Sequence, residues 1–441
     1  VSAGEALGLR RFDWGAGGRA AFEAFLRAER GSGGDVAATA AEIVAGVRAG
    51  GAEAVAAYTA RFDGLNLDPA TLQSPEIDLT RLAADCPTDV KRAIDFAHDR
   101  ILAYHLACRP SDGAMADGRG VRLSWRWTPL DSVGVYVPGG RASYPSSTLM
   151  NLVPARAAGV GRVVMVAPAP RGQLNPAVAY AAVRAGVDAY YPIGGAQAVA
   201  ALAFGAGPLR AVDKIVGPGN AWVAAAKRLV FGTVGIDTIA GPSEITVVAD
   251  STANPEWIAV DLLSQAEHDP AAQSILITPD PAFGAAVLSW VARHLEPLPT
   301  AATARASLAA HGAVVIAPLS AAAEVVNLIA PEHVQVVCGG AEAIVAAIRN
   351  AGAIFVGPYA TEALGDYVTG SNHVLPTYGA ARFASGLSSY DFMKRISVQA
   401  VDRAGFDLLA GPAYTLAEAE GLAAHALAIK VRQSVETSGL T

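Results

Sequence analysis

Apolar positions along the chain fall into two textures. Up to about residue 110 they recur at helical spacing over 36–48 and 52–62, which predicts amphipathic helices. Cys86-Pro87-Thr88-Asp89 forms a helix-start signal ahead of 90–106. From about 120, short β-branched runs alternate with Ala-rich helical runs. The first series predicts strands at 132–137, 162–167, 189–193 and 214–216. The second predicts strands at 244–249, 274–278, 313–317, 334–337 and 353–356. Helices are expected between them at 176–185, 196–203, 221–231, 255–266 and 321–328. Such alternation builds parallel sheets from βαβ units, so two doubly wound domains are expected, linked by Ile239-Ala240-Gly241-Pro242-Ser243. The rhythm stops near 386, and 392–401 and 415–432 read as helices. The second opens on a capping-box pattern, Thr415-Leu416-Ala417-Glu418. This tail is too small to fold alone and is expected to pack on a neighbour.

Composition sharpens the picture. At 441 residues, two or more domains are expected. With 45 glycines and 7% aromatics, the chain suits close helix–sheet packing. The net charge of −7 and the lack of a basic run argue against nucleic acid. No 18-residue apolar stretch predicts a membrane span. Residues 1–12 carry early charges and no signal-peptide core. They also lack an initiating Met, so a few residues are expected upstream. Cys86, Cys108 and Cys338 form no CxxC pair, which points to small buried fillers and a reducing cytoplasm. Gly15-Ala16-Gly17-Gly18-Arg19-Ala20 matches GxGxxA in letters only, because 10–14 does not read as a buried strand.

With only 17% charged residues, ionisable groups beside apolar segments need partners or a metal. Half of the eight histidines sit in four late motifs: Gln265-Ala266-Glu267-His268, Pro331-Glu332-His333, Gly365-Asp366-Tyr367 leading to Asn372-His373, and Glu420 with His425. Together they form an N/O donor set that suits Zn²⁺. Gln265 and His268 share one helix face, which alone also fits a polar end to that helix. Glu332 and His333 can divide proton transfer and water activation, or simply cap the preceding helix. The Gly365–His373 loop follows a parallel strand, whose carboxyl end is a usual ligand position. Glu420 and His425 on one helix would point about 140° apart. The other histidines, His98, His105, His294 and His311, read as structural or surface residues.

Three glycine turns form a second constellation: Val137-Pro138-Gly139-Gly140-Arg141, Ile193-Gly194-Gly195-Ala196-Gln197 and Val216-Gly217-Pro218-Gly219-Asn220. Each follows a predicted strand, and the last two open helices that favour phosphate. Tyr136, Gln197 and Asn220 could face a nucleotide.

Taken with Ala240-Gly241-Pro242-Ser243-Glu244 and Ser371-Asn372-His373-Val374-Leu375-Pro376-Thr377, these segments resemble the histidinol dehydrogenase family, in family order over about 130–432. The resemblance implies two doubly wound, incomplete Rossmann-like parallel-sheet domains plus small helical N- and C-terminal segments. The expected divisions are 1–30 (N-terminal segment), 31–135 with 243–386 (metal and catalytic loops), 136–242 (NAD-binding) and 387–441 (tail). It implies oxidation of L-histidinol to L-histidine through L-histidinal, with one Zn²⁺ per subunit and two hydride transfers to NAD. The metal ligands would be Gln265, His268, Asp366 and His425, the last donated across a homodimer. Glu332 and His333 would be catalytic. Ser243, Gln265, His268, His333, Asp366, His373, Glu420 and His425 would meet substrate, and Tyr136, Gln197 and Asn220 would meet NAD. Alternatives are a paralogue acting on another small polar alcohol, a zinc hydrolase that would not need the glycine turns, and a non-catalytic two-lobed binding protein.

Overall fold

The computed structural model describes residues 7–28, 30, 36–139, 144–239 and 241–433. Residues 1–6, Gly140 and Arg141 of the first glycine turn, Ala240 of the linking turn and the last eight residues of the tail lie outside the described residues. Contacts divide the chain into two units. One comprises Val1–Cys108 and Leu130–Phe392, the other Arg109–Pro129 and Met393–Thr441. The strands in chain order are β1 (Arg10–Asp13), β2 (Gly113–Ala116), β3 (Val121–Pro129), β4 (Ser132–Tyr136), β5 (Arg162–Val166), β6 (Ala189–Tyr191), β7 (Lys214–Val216), β8 (Gly235–Ile236), β9 (Glu244–Ala249), β10 (Gln273–Thr278), β11 (Ala313–Ile316), β12 (His333–Val337), β13 (Ala353–Val356) and β14 (Met393–Val401).

The first unit holds two parallel sheets. One has the order β6-β5-β4-β7-β8. The chain enters at β4, winds outward to β6, then returns past β4 to β7, so the winding reverses between β4 and β7. That reversal opens a crevice at the carboxyl ends of those two strands. Helices cover both faces, so Val133, Val135 and Val163 to Val166 are fully buried and the strands read as continuous apolar runs. Gly134 lets the helix Gly195–Phe204 settle on β4, since a Cβ there would lie 2.7 Å from Leu202 Cδ2. The other sheet has the order β1-β11-β10-β9-β12-β13 and winds the same way from β9. Every residue of β9 is buried. Its edge strand β1 is a short break in a first 110 residues that are otherwise mostly helical. Arg10 to Asp13 pair in parallel with β11, and only Phe12 is even half-buried, so the buried-strand pattern is missing.

The two predicted helices lie within Val36–Asp63 and are separated at Gly51, whose φ of +56° is not helical. The helix Thr88–Ala107 follows the start signal at Cys86. Among the described residues no helix is long and apolar enough to cross a membrane.

The second unit overturns two expectations. Residues 393–401 are strand β14, not helix. They pair antiparallel with β3 from Met393↔Pro129 to Val401↔Val121, and β2 flanks β3 on its other side. Most of these positions are exposed, so no local apolar pattern marks them. The expected helix at 415–432 is two helices, Arg403–Ala419 and Ala423–Gln433. Gly421, at φ +69°, makes the break. Thr415 lies inside the first helix with its hydroxyl donating to the Gly411 carbonyl (3.1 Å), so it is no cap. Asp402 fills that role, accepting from Gly405 N (2.9 Å). Glu420 and His425 therefore sit on different elements, and the single-helix angle between them does not apply.

His105 is fully buried in the first unit, and neither ring nitrogen has a hydrogen-bond partner. Burial pushes its pKa down from 6.5 to about 4, against a smaller opposing effect of Asp391. The folded chain thus binds this proton less readily than the unfolded one. The stability tied to neutral His105 is complete above pH 6.5 and declines as pH falls toward 4, by about 3 kcal/mol in all. Replacing His105→Leu should shrink the stability lost between pH 7.5 and 4.5 by about 2 kcal/mol in urea unfolding. An undiminished loss would refute this account.

Candidate active site

The site grows from the amino ends of β9 and β12, where His333 lies opposite Ile245 in the ladder. Glu332 and Glu244 bond reciprocally: Glu244 N donates to Glu332 Oε2 (2.9 Å), and Glu332 N donates to Glu244 Oε2 (3.3 Å). His333 Nδ1 is 3.0 Å from the Glu244 carbonyl oxygen. A carbonyl only accepts, so Nδ1 carries the hydrogen and Nε2 keeps a free lone pair. Nε2 is buried without a hydrogen-bond partner. Burial lowers the His333 pKa to about 3, partly opposed by that backbone hydrogen bond, with His373 and His268 lowering it further. The ring is therefore neutral at pH 7.

Carboxylates surround this ring. Glu332 Oε2 and Glu362 Oε1 are each 3.6 Å from Nδ1, and Asp366 Oδ1 is 3.7 Å from Nε2. Glu362 and Asp366 are four apart on the short helix Glu362–Tyr367, so they share a face. Thr361 anchors the start of that helix by donating to Asp261 Oδ1 (2.7 Å). Burial, then repulsion among the acids, raises Glu332 and Glu362 well above the usual carboxylate range, and burial raises Asp366 to about 7. Among the described residues no lysine or arginine lies within ion-pairing distance of these three, and His333, Glu362 and Asp366 present ligand atoms within 4.8 Å of one another. Glu244, by contrast, is paired with Arg30 and accepts from Tyr378 N (3.0 Å).

Gln265 is fully buried at the end of the helix Pro255–Ala266. With its amide nitrogen toward Glu362 Oε1 (2.8 Å) and the Glu244 carbonyl (3.3 Å), those two contacts become donor–acceptor pairs and its Oε1 turns away from the carboxylates; the same nitrogen lies 3.2 Å from His333 Nδ1, whose hydrogen is directed to the Glu244 carbonyl. His268 is exposed, one turn beyond. His373 Nδ1 lies 2.9 Å from the Asp366 carbonyl and its Nε2 lies 3.2 Å from Ser147 Oγ. Burial lowers the His373 pKa to about 4. Asn372 Nδ2 donates to the Met150 carbonyl (2.6 Å). Ser147 and Met150 belong to the helix Pro145–Ala158 that follows β4, so the Asp366–His373 loop docks on the five-stranded sheet's layer. Ser243 immediately precedes β9, half-buried.

The expectation that this loop lies beyond a strand's carboxyl end needs correction. The chain doubles back after β13, and Asp366 reaches the amino edge where His333 begins β12. Carboxyl ends matter in the other sheet. There the Tyr136 hydroxyl accepts from Gly195 N (3.1 Å), and burial pushes its pKa up to about 12. Gln197 is buried two residues on, and Asn220 caps the helix Ala221–Val230 by accepting from Val223 N (3.2 Å). Gly217 backs onto Tyr136, for a Cβ there would lie 2.0 Å from the Tyr136 carbonyl oxygen.

Glu420 and His425 are exposed in the second unit. Sequence reasoning missed Glu362, Glu244, Arg30 and Ser147. The spacing Glu362-x-x-x-Asp366 was a usable signal for the first; the others carry no local mark.

A family model described as histidinol dehydrogenase matches residues 27–433. Histidinol dehydrogenase of Caulobacter vibrioides is 57% identical over 93% of this chain and 96% of its own length. That of Mesorhizobium japonicum is 52% identical over the same shares. The crystal structure of histidinol dehydrogenase from Elizabethkingia anophelis superposes with a TM-score of 0.91 at 33% identity, covering 96% of this chain and 98% of that one. The chain belongs to the histidinol dehydrogenase family of oxidoreductases.

Proposed function

We propose that the enzyme oxidises L-histidinol to L-histidine through L-histidinal, using Zn²⁺ and two molecules of NAD⁺. One observation carries this reading: a neutral, buried His333 with an unengaged Nε2 stands beside carboxylates that have no basic partner among the described residues. Such acids suit a divalent cation. Gln265, His268 and Asp366 would hold it, with His425 from a second copy of the chain. Glu362 would orient the Gln265 amide, as supporting acceptors do around metal ligands. When bound, Zn²⁺ supplies a Lewis-acid anchor for the substrate's imidazole and amine nitrogens, and NAD⁺ supplies the hydride acceptor in each oxidation.

The chain's own residues then divide the work. His333 Nε2 takes the hydroxyl proton as the carbinol carbon gives up hydride. Glu332, made basic by burial, takes a proton from water as that water adds to the aldehyde carbon. The resulting diolate loses hydride to the second NAD⁺ and then one proton to give the carboxylate. Ser243, His373 and, from the second copy, Glu420 would hold the substrate's polar groups. Tyr136, Gln197 and Asn220 would line the dinucleotide crevice between β4 and β7. The contact of His373 with Ser147 supports hydride transfer between the layers, because it joins the acid–base group to the sheet bearing the glycine turns. For the homodimer, the support is apolar exposure in the second unit, where Leu408, Leu409, Leu416, Leu422 and Leu427 are exposed.

Glu332→Gln should slow oxidation of histidinal by about 10²- to 10⁴-fold, and His333→Asn should slow the histidinol step by a similar factor. Single-turnover NADH formation from each substrate separates the two; equal impairment of both steps by both variants would contradict the division of roles. Chelation with dialysis should remove about one zinc per chain and abolish histidinol-dependent NAD⁺ reduction until Zn²⁺ is restored. Full activity in a demonstrably metal-free sample would eliminate the zinc reading. Mixing inactive His425→Ala and Glu332→Gln chains should recover about a quarter of normal activity, since each mixed dimer rebuilds one complete site. No recovery after subunit exchange would place His425 in its own subunit's site or in none.

A further inference from the structure

Within the five-stranded sheet, a buried ion pair sits behind the turn between β7 and the helix Ala221–Val230. Lys227 Nζ lies 2.6 Å from Asp237 Oδ1, and each side chain is 3% exposed. Both groups also grip Gly217. Lys227 Nζ donates to the Gly217 carbonyl (2.5 Å), and Gly217 N donates to Asp237 Oδ2 (2.7 Å). One residue of the turn is therefore held at both its donor and its acceptor by a single salt bridge. That residue has φ +112° and backs onto Tyr136, where no side chain would fit. Asp237 lies just beyond β8, with its N donating to the Ile215 carbonyl (3.2 Å), so the pair ties helix, turn and edge strand together.

Stability alone gives little reason for this arrangement. Two charges removed from water lose hydration that their attraction seldom exceeds, and well-packed apolar side chains commonly do as well. Geometry is what the pair adds. A glycine turn has many accessible backbone conformations, and leaving it free would require a ligand to order it on binding.

We propose that Lys227 and Asp237 are positioning residues for the dinucleotide, acting through Gly217 to preset the turn 216–220 at the mouth of the β4–β7 crevice. The inference rests on the NAD reading above. It assigns these two residues to cofactor affinity, leaving the acid–base group untouched.

The test uses the full-length chain with Lys227→Met and Asp237→Leu combined, which removes both charges together. NADH binding, followed by energy transfer from tryptophan, should weaken at least about tenfold. The KM for NAD⁺ should rise in step. The KM for histidinol, and kcat at saturating NAD⁺, should stay within about threefold. Hydrogen exchange at the Gly217 amide should accelerate. A folded double variant that binds NADH as tightly as the unaltered chain overturns the inference. Should that variant fail to fold, Lys227→Met with Asp237→Asn keeps an acceptor for Gly217 N and loses only the donor to its carbonyl. An intermediate loss of NADH affinity is expected there, and unchanged affinity again overturns the proposal. Failure of the unaltered chain to bind NADH would remove the NAD reading and this inference together.

Discussion

The hydrogen bond from His333 Nδ1 to the Glu244 carbonyl governs the chemistry available at this site. It fixes the tautomer of a ring that burial keeps uncharged, and so leaves Nε2 as the only basic nitrogen of that ring. The acceptor is backbone at the start of β9, paired in parallel with β10 at Glu244 and with β12 from Ile245 on. Side-chain motion therefore has little means of disturbing it. The reciprocal bonds between Glu244 and Glu332 place the Glu332 carboxylate at the start of the same strand pair. The proposed acid–base pair is thus set by sheet register, which a whole layer of buried apolar residues maintains.

Around that fixed pair, charge is distributed unevenly. Glu244 has Arg30, whereas Glu332, Glu362 and Asp366 face one another and neutral imidazoles. An isolated chain relieves this by holding protons on some of the acids. A bound cation offers another route, and the competition between protons and metal for the same oxygens ties metal affinity to acidity. Gln265 belongs to this economy of contacts: one end of its amide serves the carboxylates, which orients the other.

Much of this was legible in the sequence, for physical reasons that also mark where reading failed. Parallel strands buried on both faces must be apolar at successive positions, so β4, β5, β9 and β10 announced themselves. Strand β14 did not, because its residues are mostly exposed and its identity comes from pairing with β3, far away in the chain. The break at Gly421 was written in the sequence, yet the Ala and Leu periodicity on either side masked it. In the site, Glu332, His333, Asp366 and His373 stood out as polar groups next to apolar runs. Glu244 was visible only as a strand's first residue, and Ser147 only as part of an ordinary helix. Their importance arises from which layers face each other, which no local pattern encodes.

The pairing of β3 with β14 has a consequence for how the protein is made. On the ribosome, β3 and its neighbour β2 emerge roughly 260 residues before β14. At about 5–20 residues per second, that interval lasts tens of seconds. Through it, a nine-residue edge carrying Leu123 and Trp125 has only a short hairpin partner, an arrangement of marginal stability in water. The nascent chain therefore carries that edge unpaired with β14 while both parallel sheets are being made, and chain truncations that spare every site residue of the first unit would still leave that edge bare.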